Sequence, residues 1–288
     1  MKDGVIQLAP AEFPPLLREI ADAPKQLHVR GTMPSLEKKW LTVVGSRAMT
    51  AYGKQTVRYL IDGLRGYPIV IVSGLAYGVD AAAHRAALDA GLATVAVPGS
   101  GLDWDVLYPR GNVALAREIL AAGGCLVSEE EPGTRAADWT FPRRNRIMVG
   151  LSHATLIIEA KEKSGSLITA KLSTEYNREL LVVPGSIFSE ESKGTHQFLK
   201  LGASAATSSE DVLQALGIAK REGAARLNEL RDDLSEEERR VFDILHAPVP
   251  RDALLDELTL PITEANVLLS TMEIKGLIVE ELGVVRIR

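Results

Sequence analysis

Three arginines and an asparagine crowd into the stretch Trp139-Thr140-Phe141-Pro142-Arg143-Arg144-Asn145-Arg146-Ile147-Met148, interleaved with aromatic rings. Those residue types suit one kind of chemistry. A guanidinium grips phosphate as a planar fork, and an aromatic face stacks a base for about 1–3 kcal/mol. The bland alternative makes Trp139 and Phe141 core anchors and the arginines a solvated helix start. Three other loops set glycine or hydroxyl beside a cation, and a fourth sets small residues between strand and helix. Val44-Gly45-Ser46-Arg47 lets the backbone approach an anion closely and adds a fork at Arg47. It is not a P-loop, because Gln55 follows Lys54 where Ser or Thr is required, and not a dinucleotide fingerprint, because G-x-G-x-x-G is absent. Ser73-Gly74-Leu75-Ala76-Tyr77-Gly78-Val79-Asp80 runs into Ala81-Ala82-Ala83-His84, where Asp80 suits a helix cap and His84 suits packing. Tyr108-Pro109-Arg110-Gly111-Asn112 offers another cation at a helix start. Ser164-Gly165-Ser166-Leu167-Ile168-Thr169-Ala170-Lys171 is hydroxyl-rich, fit for anion binding or simple capping.

These loops fall where a repeating pattern needs them. Short apolar runs at Leu41–Gly45, Ile69–Ser73, Thr94–Val97, Cys125–Ser128, Thr155–Glu159 and Leu180–Val183 alternate with amphipathic stretches. Strands apolar throughout and separated by helices predict a parallel sheet covered on both faces, an α/β, Rossmann-like doubly wound domain over residues 41–217. In such sheets ligands bind past the carboxyl ends of the strands. Residues 1–40 read as a lead-in that packs on this domain, and 218–234 as a charged linker. A second domain starts at Ser235, whose pairing with Glu238 makes a capping box. Three short helices, the last ended by Gly276, and a ribbon from Leu277 onward predict a winged helix over 235–288.

Bulk properties narrow the partners. The chain has 288 residues with 46% hydrophobic and 25% charged content, a globular composition with material for about two cores. Net charge is -5, and residues 235–288 carry all of it, with six Lys/Arg against eleven Asp/Glu. Any nucleic-acid surface is therefore local. Cys125 stands alone, which excludes an internal disulfide and suits a buried strand position. With no signal pattern and no bilayer-length apolar run, the expectation is a cytoplasmic protein with no membrane partner, metal or cofactor.

Taken together, the segments at 44–47, 73–84, 108–112, 141–147, 164–170 and 183–186 (Val-Pro-Gly-Ser) resemble, in order, the DNA processing protein A (DprA/Smf) family. The resemblance implies a homodimeric protein, not an enzyme, that binds single-stranded DNA and loads a RecA-type recombinase during natural transformation. Carried over, the DNA contacts fall on Ser46, Arg47, Gly74, Arg110 and Phe141. They continue through Arg143, Arg144, Asn145 and Arg146 to Ser166 and Lys171, while the dimer edge falls on His196, Leu201 and Ala205. Two departures stand out: Tyr77 where the family usually has a basic residue, and the acidic Glu129-Glu130-Glu131 ahead of the arginine cluster.

Two rival readings remain. A phosphoribohydrolase-type nucleotide hydrolase would carry a Pro-Gly-Gly-x-Gly-Thr-x-x-Glu loop, and Pro98-Gly99-Ser100-Gly101-Leu102 is only a partial imitation. A winged-helix repressor would need a cationic third helix. That helix offers Lys275 and Asn266 against Glu264 and Glu273, so the expectation is a winged helix that does not bind duplex DNA.

Overall fold

The computed structural model describes residues 4–219, 234–245, 249–281 and 283–287. It divides into two compact units, Met1–Ala219 and Lys220–Arg288. The linker expected over 218–234 lies, from 220 to 233, outside the described residues.

The first unit is built on strands β1 (Val5–Leu8), β2 (Leu27–Gly31), β3 (Lys39–Val44), β4 (Ile69–Ser73), β5 (Ala93–Ala96), β6 (Cys125–Ser128), β7 (Ala154–Ile157), β8 (Glu179–Val182) and β9 (Ser204–Ala205). Its helices are α1 (Pro15–Arg18), α2 (Ala51–Asp62), α3 (Val79–Asp89), α4 (Val113–Ala121), α5 (Thr140–Leu151), α6 (Ser166–Glu175), α7 (Lys193–Lys200) and α8 (Ser209–Ala215). The sheet order is β1-β2-β6-β5-β4-β3-β7-β8-β9. From β6 to β9 all pairs are parallel. β4 and β6 are buried along their whole length, as strands covered on both faces must be.

The lead-in does more than pack on this domain. β2 adds antiparallel to β6 and β1 antiparallel to β2, so the first residues extend the sheet itself. The segment between them drives Phe13, Leu17 and Ile20 into the main core, and a side chain at Gly150 of α5 would sit within 2.8 Å of Leu17.

The chain builds outward from β3 through β4, β5 and β6, then returns to β3's other side with β7. That reversal leaves a crevice between the carboxyl ends of β3 and β7, the switch point where doubly wound sheets hold ligands.

The second unit comprises α9 (Glu236–Ile244), β10 (Val249–Pro250), α10 (Arg251–Leu258), α11 (Ile262–Ile274), β11 (Ile278–Glu281) and β12 (Val284–Ile287). Its antiparallel sheet runs β10-β12-β11. The capping box is present: Glu238 N–H donates to Ser235 Oγ at 3.2 Å, and Ser235 N–H to Glu238 Oε2 at 2.9 Å. Gly276, at φ +70°, follows α11 where a left-handed residue ends a helix. Val241, Leu254, Ala265 and Met272 are fully buried in its core. Helix–strand–helix–helix–ribbon is the winged-helix order.

Candidate nucleic-acid interface

The crevice at the switch point is a cleft of about 520 Å³. Its floor is Val44 and Gly45 at the end of β3, and one wall is Ser46–Ala48. The facing wall is the start of α6, with Ser164, Gly165, Ser166 and Thr169. Amide and hydroxyl donors at a helix start favour an anion. Glu159, buried just past β7, fastens the walls together. Its carboxylate accepts from Thr50 N at 2.9 Å and Thr50 Oγ1 at 2.5 Å, at the N-cap of α2. Gly53 is required there, since a Cβ would overlap Glu159 Oε2.

Helix α5 supplies the third wall through Phe141, Arg144, Asn145 and Met148. These four stand at i, i+3, i+4 and i+7, positions that share one helix face. Arg47 is exposed, with its guanidinium carbon 4.9 Å from the centre of the Phe141 ring. Among the described residues it forms no salt bridge with a carboxylate. Phe141 also packs against Tyr108, ring centres 5.8 Å apart. A narrow slot beneath Arg47 is walled by Gly74, Tyr77, Tyr108 and Phe141. Cation, aromatic faces and hydroxyl donors thus meet in one open cleft.

Arg144 is buried and forms the base of this arrangement. Its guanidinium meets Asp80 Oδ2 at 3.5 Å, donates from Nε to Asn145 Oδ1 at 2.9 Å, and donates to the Val97 carbonyl. Gly74 lets the Arg144 guanidinium lie against the backbone, since a Cβ there would displace it. Burial pushes the Asp80 carboxyl upward while the Arg144 charge opposes that shift. Burial likewise pushes Arg144 downward, opposed by Asp80. Asp80 is therefore a counter-ion as well as a first-turn acid of α3. His84 is fully buried, Nδ1 2.7 Å from Thr94 Oγ1.

The arginine cluster does not act as a unit. At about 100° per residue, Arg143 and Arg146 turn to the face of α5 opposite Phe141 and Arg144. Arg146 Nη2 donates to both Glu129 oxygens at 2.7 and 2.6 Å, and Nη1 donates to the Asp22 carbonyl. Arg143 pairs with Glu129 at 2.8 Å and Glu130 at 3.4 Å. Both were expected at the strand-binding rim; here they are held by the acidic run ahead of the cluster. Neither lines the cleft.

Arg110 is exposed beside the slot and donates to the Trp104 carbonyl. Its neighbour Asn112 donates to the carbonyls of Leu75, at 2.8 Å, and Ala76, at 3.2 Å. Those bonds steady a loop in which Leu75 adopts φ +60°. Lys171, also expected among the strand contacts, does not line the cleft. It lies on α6 away from the cleft, in a depression with Leu201 and Ser204 at the β9 edge. Leu201 is 78% exposed, Ala205 is exposed on the edge strand, and His196 Nε2 lies 3.1 Å from the Gly185 carbonyl. Sequence reasoning missed Glu159, whose signal was only a lone acid after an apolar run. It also missed Asp80 as Arg144's partner, a pairing across distant segments.

The family model described as DNA recombination-mediator protein A matches residues 4–217, which include every wall of the cleft. This chain belongs to the DNA recombination-mediator protein A family. A second family model, the DprA winged helix domain, matches residues 225–283. Among the relatives of this family, the DNA processing protein DprA of Streptococcus pneumoniae is 43% identical over 201 residues, covering 70% of each chain. Protein Smf of Escherichia coli is 41% identical over 212 residues, 73% of this chain and 56% of that protein. The chain thus matches little more than half the length of the latter. Among solved structures, the S. pneumoniae DNA processing protein A matches with TM-score 0.67 at 40% identity over 73% of each chain. A Helicobacter pylori DNA processing protein A, described for its single-stranded DNA binding mode, matches with TM-score 0.66 at 31% identity, over 75% of this chain and 96% of that one.

Proposed function

We propose that this chain binds single-stranded DNA without reading its sequence, at the switch-point cleft, and presents it to a RecA-type recombinase as a mediator rather than a catalyst. The observation that carries the reading is Arg47, a cation without a salt bridge among the described residues, poised over Phe141 at the mouth of a hydroxyl-lined cleft. Arg47 takes a backbone phosphate, and Phe141 with Tyr108 and Tyr77 offers faces for a base. The hydroxyls and amides of Ser46, Ser164 and Ser166 complete the anion's surroundings. Arg110 flanks the slot. None of these contacts reads a base edge, so the grip tolerates any sequence.

The same cleft supports a binding role over hydrolysis. Its carboxylates are Asp80 and Asp138, and Asp80 is engaged by Arg144. Among its described lining residues there is no histidine or cysteine to move a proton or attack. The recombinase and the homodimer enter this proposal through the family.

Fluorescence anisotropy with labelled oligothymidine tests the reading. The expected result is saturable binding, stronger than for a duplex of equal length, with no free base released from nucleoside monophosphates. Base release, or a preference for duplex, would refute it.

A further inference from the structure

The third helix of the winged unit carries a surface whose chemistry is opposite to that of a DNA reader. The amide on α11 and the ammonium just after it, its best groups for a base or a phosphate, are already engaged within the unit. Asn266 Oδ1 accepts from Arg251 Nη2 at 2.8 Å, and Arg251 also pairs with Glu280. Lys275 Nζ lies 2.7 Å from Glu238 Oε1. Alongside outward Glu264 and Glu273, α11 also leaves an aliphatic line exposed. Val267 is 67% exposed and Ile274 is 88% exposed, and seven residues apart they lie on one line along the helix.

Beside that line runs a groove of about 570 Å³ between α11 and the start of α9. Leu260, Val267 and Leu268 give it an apolar floor, with Thr263 and Thr271 at its sides. Its charged lining is three carboxylates, Glu237, Glu238 and Glu264, against the single ammonium of Lys275, which Glu238 neutralises. Glu237 and Glu264 have no ion-pair partner among the described residues.

The geometry points to this groove as a docking site for a cationic amphipathic helix of a partner protein. An aliphatic stripe at helical spacing wants apolar knobs, and the acidic rims want lysine or arginine on either side of them. Charge selects this occupant over the others. A duplex would bring its phosphates against Glu237 and Glu264, and the only cation among the groove's described lining residues, Lys275, is already held by Glu238. A second copy of this unit would set like charge against like, which disfavours pairing. The inference rests on the second unit alone and is independent of the cleft.

The test uses the full chain and a labelled helical peptide of about five turns, with leucine on one face and lysine on the other. An otherwise identical peptide with glutamate in place of lysine serves as control. The lysine peptide should bind and the glutamate peptide should not, with hydrogen-exchange protection centred on residues 262–275. Val267→Ser with Ile274→Ser, and separately Glu237→Lys with Glu264→Lys, should each weaken binding about tenfold or more. Circular dichroism and unchanged hydrogen-exchange protection of β11 and β12 would show that both variants keep the winged unit folded, and an unchanged oligothymidine affinity that the first unit is untouched. Equal binding by wild type and both variants would overturn the proposal, as would protection confined to the first unit. So would duplex binding that the double serine substitution abolishes, or a sedimentation shift showing that Val267 and Ile274 hold two copies together.

Discussion

At the scale of the residue, the arginines divide by the direction they face rather than by their place in the chain. Arg144 and Arg146 are two residues apart, yet one underlies the cleft and the other joins Glu129 to Asp22. Arg146→Ala should therefore lower stability by about 2–3 kcal/mol, since it leaves buried Glu129 with only Arg143. It should leave oligothymidine affinity nearly unchanged. Phe141→Leu should do the reverse, costing about 1–3 kcal/mol of binding for a lost stacking face. Chemical denaturation and strand titration on both variants check the pair; a large binding loss for Arg146→Ala alone would undo the division. The residue types were legible in the sequence, because guanidinium and ring alternate there. Their facing was not, because it depends on where Glu129 lies in space. His84 makes a separate prediction. Burial, reinforced by repulsion from Arg144, lowers it from 6.5 to about 3. The unfolded chain thus takes up a proton that the folded one refuses, so stability falls as pH drops below 6.5. Between about pH 7 and 5 this amounts to about 2 kcal/mol. Burial pushes His153 the same way. Urea midpoints should fall over that range, and His84→Gln should flatten the fall; an unchanged slope would contradict the assignment.

At the scale of the element, the parallel strands and their helices were readable because buried strands are apolar throughout and their loops carry glycine and hydroxyls. β4 and β6 fall on the expected residues without adjustment. β1 and β2 escaped for a physical reason. β2 contains His28 and Arg30, both buried but polar, so its composition does not look like that of an interior strand. Arg30 meets Asp103 at 3.6 Å, a partner distant in sequence. β9 is two residues long, too short to leave a period. Its position matters nonetheless, since it ends the sheet with exposed Ser204 and Ala205 beside Leu201. An uncovered edge strand is a template for pairing with another chain. The proposed homodimer uses this edge, so Leu201→Glu should shift the protein from dimer to monomer in sedimentation, leaving the fold intact. A wild type that is monomeric at all concentrations would remove the proposal.

At the scale of the whole molecule, charge is partitioned rather than shared. Residues 1–234 are balanced with 27 of each sign, and the acidic excess belongs to the winged unit. A protein of net charge -5 can hold a polyanion only by local means, and the cleft supplies them with one guanidinium, free of salt bridges among the described residues, set over an aromatic ring. The two-domain plan was legible because hydrophobic periodicity and the Ser235 capping box restart after a charged stretch. The cleft's location followed from strand order, which periodicity hints at but only pairing decides. The most direct test of the account is an oligothymidine titration of wild type and Arg47→Ala over the same salt series. The account predicts weaker binding by Arg47→Ala and a logarithmic salt slope shallower by about 0.7, one phosphate contact fewer. Equal affinity and equal slope in the two proteins would contradict it.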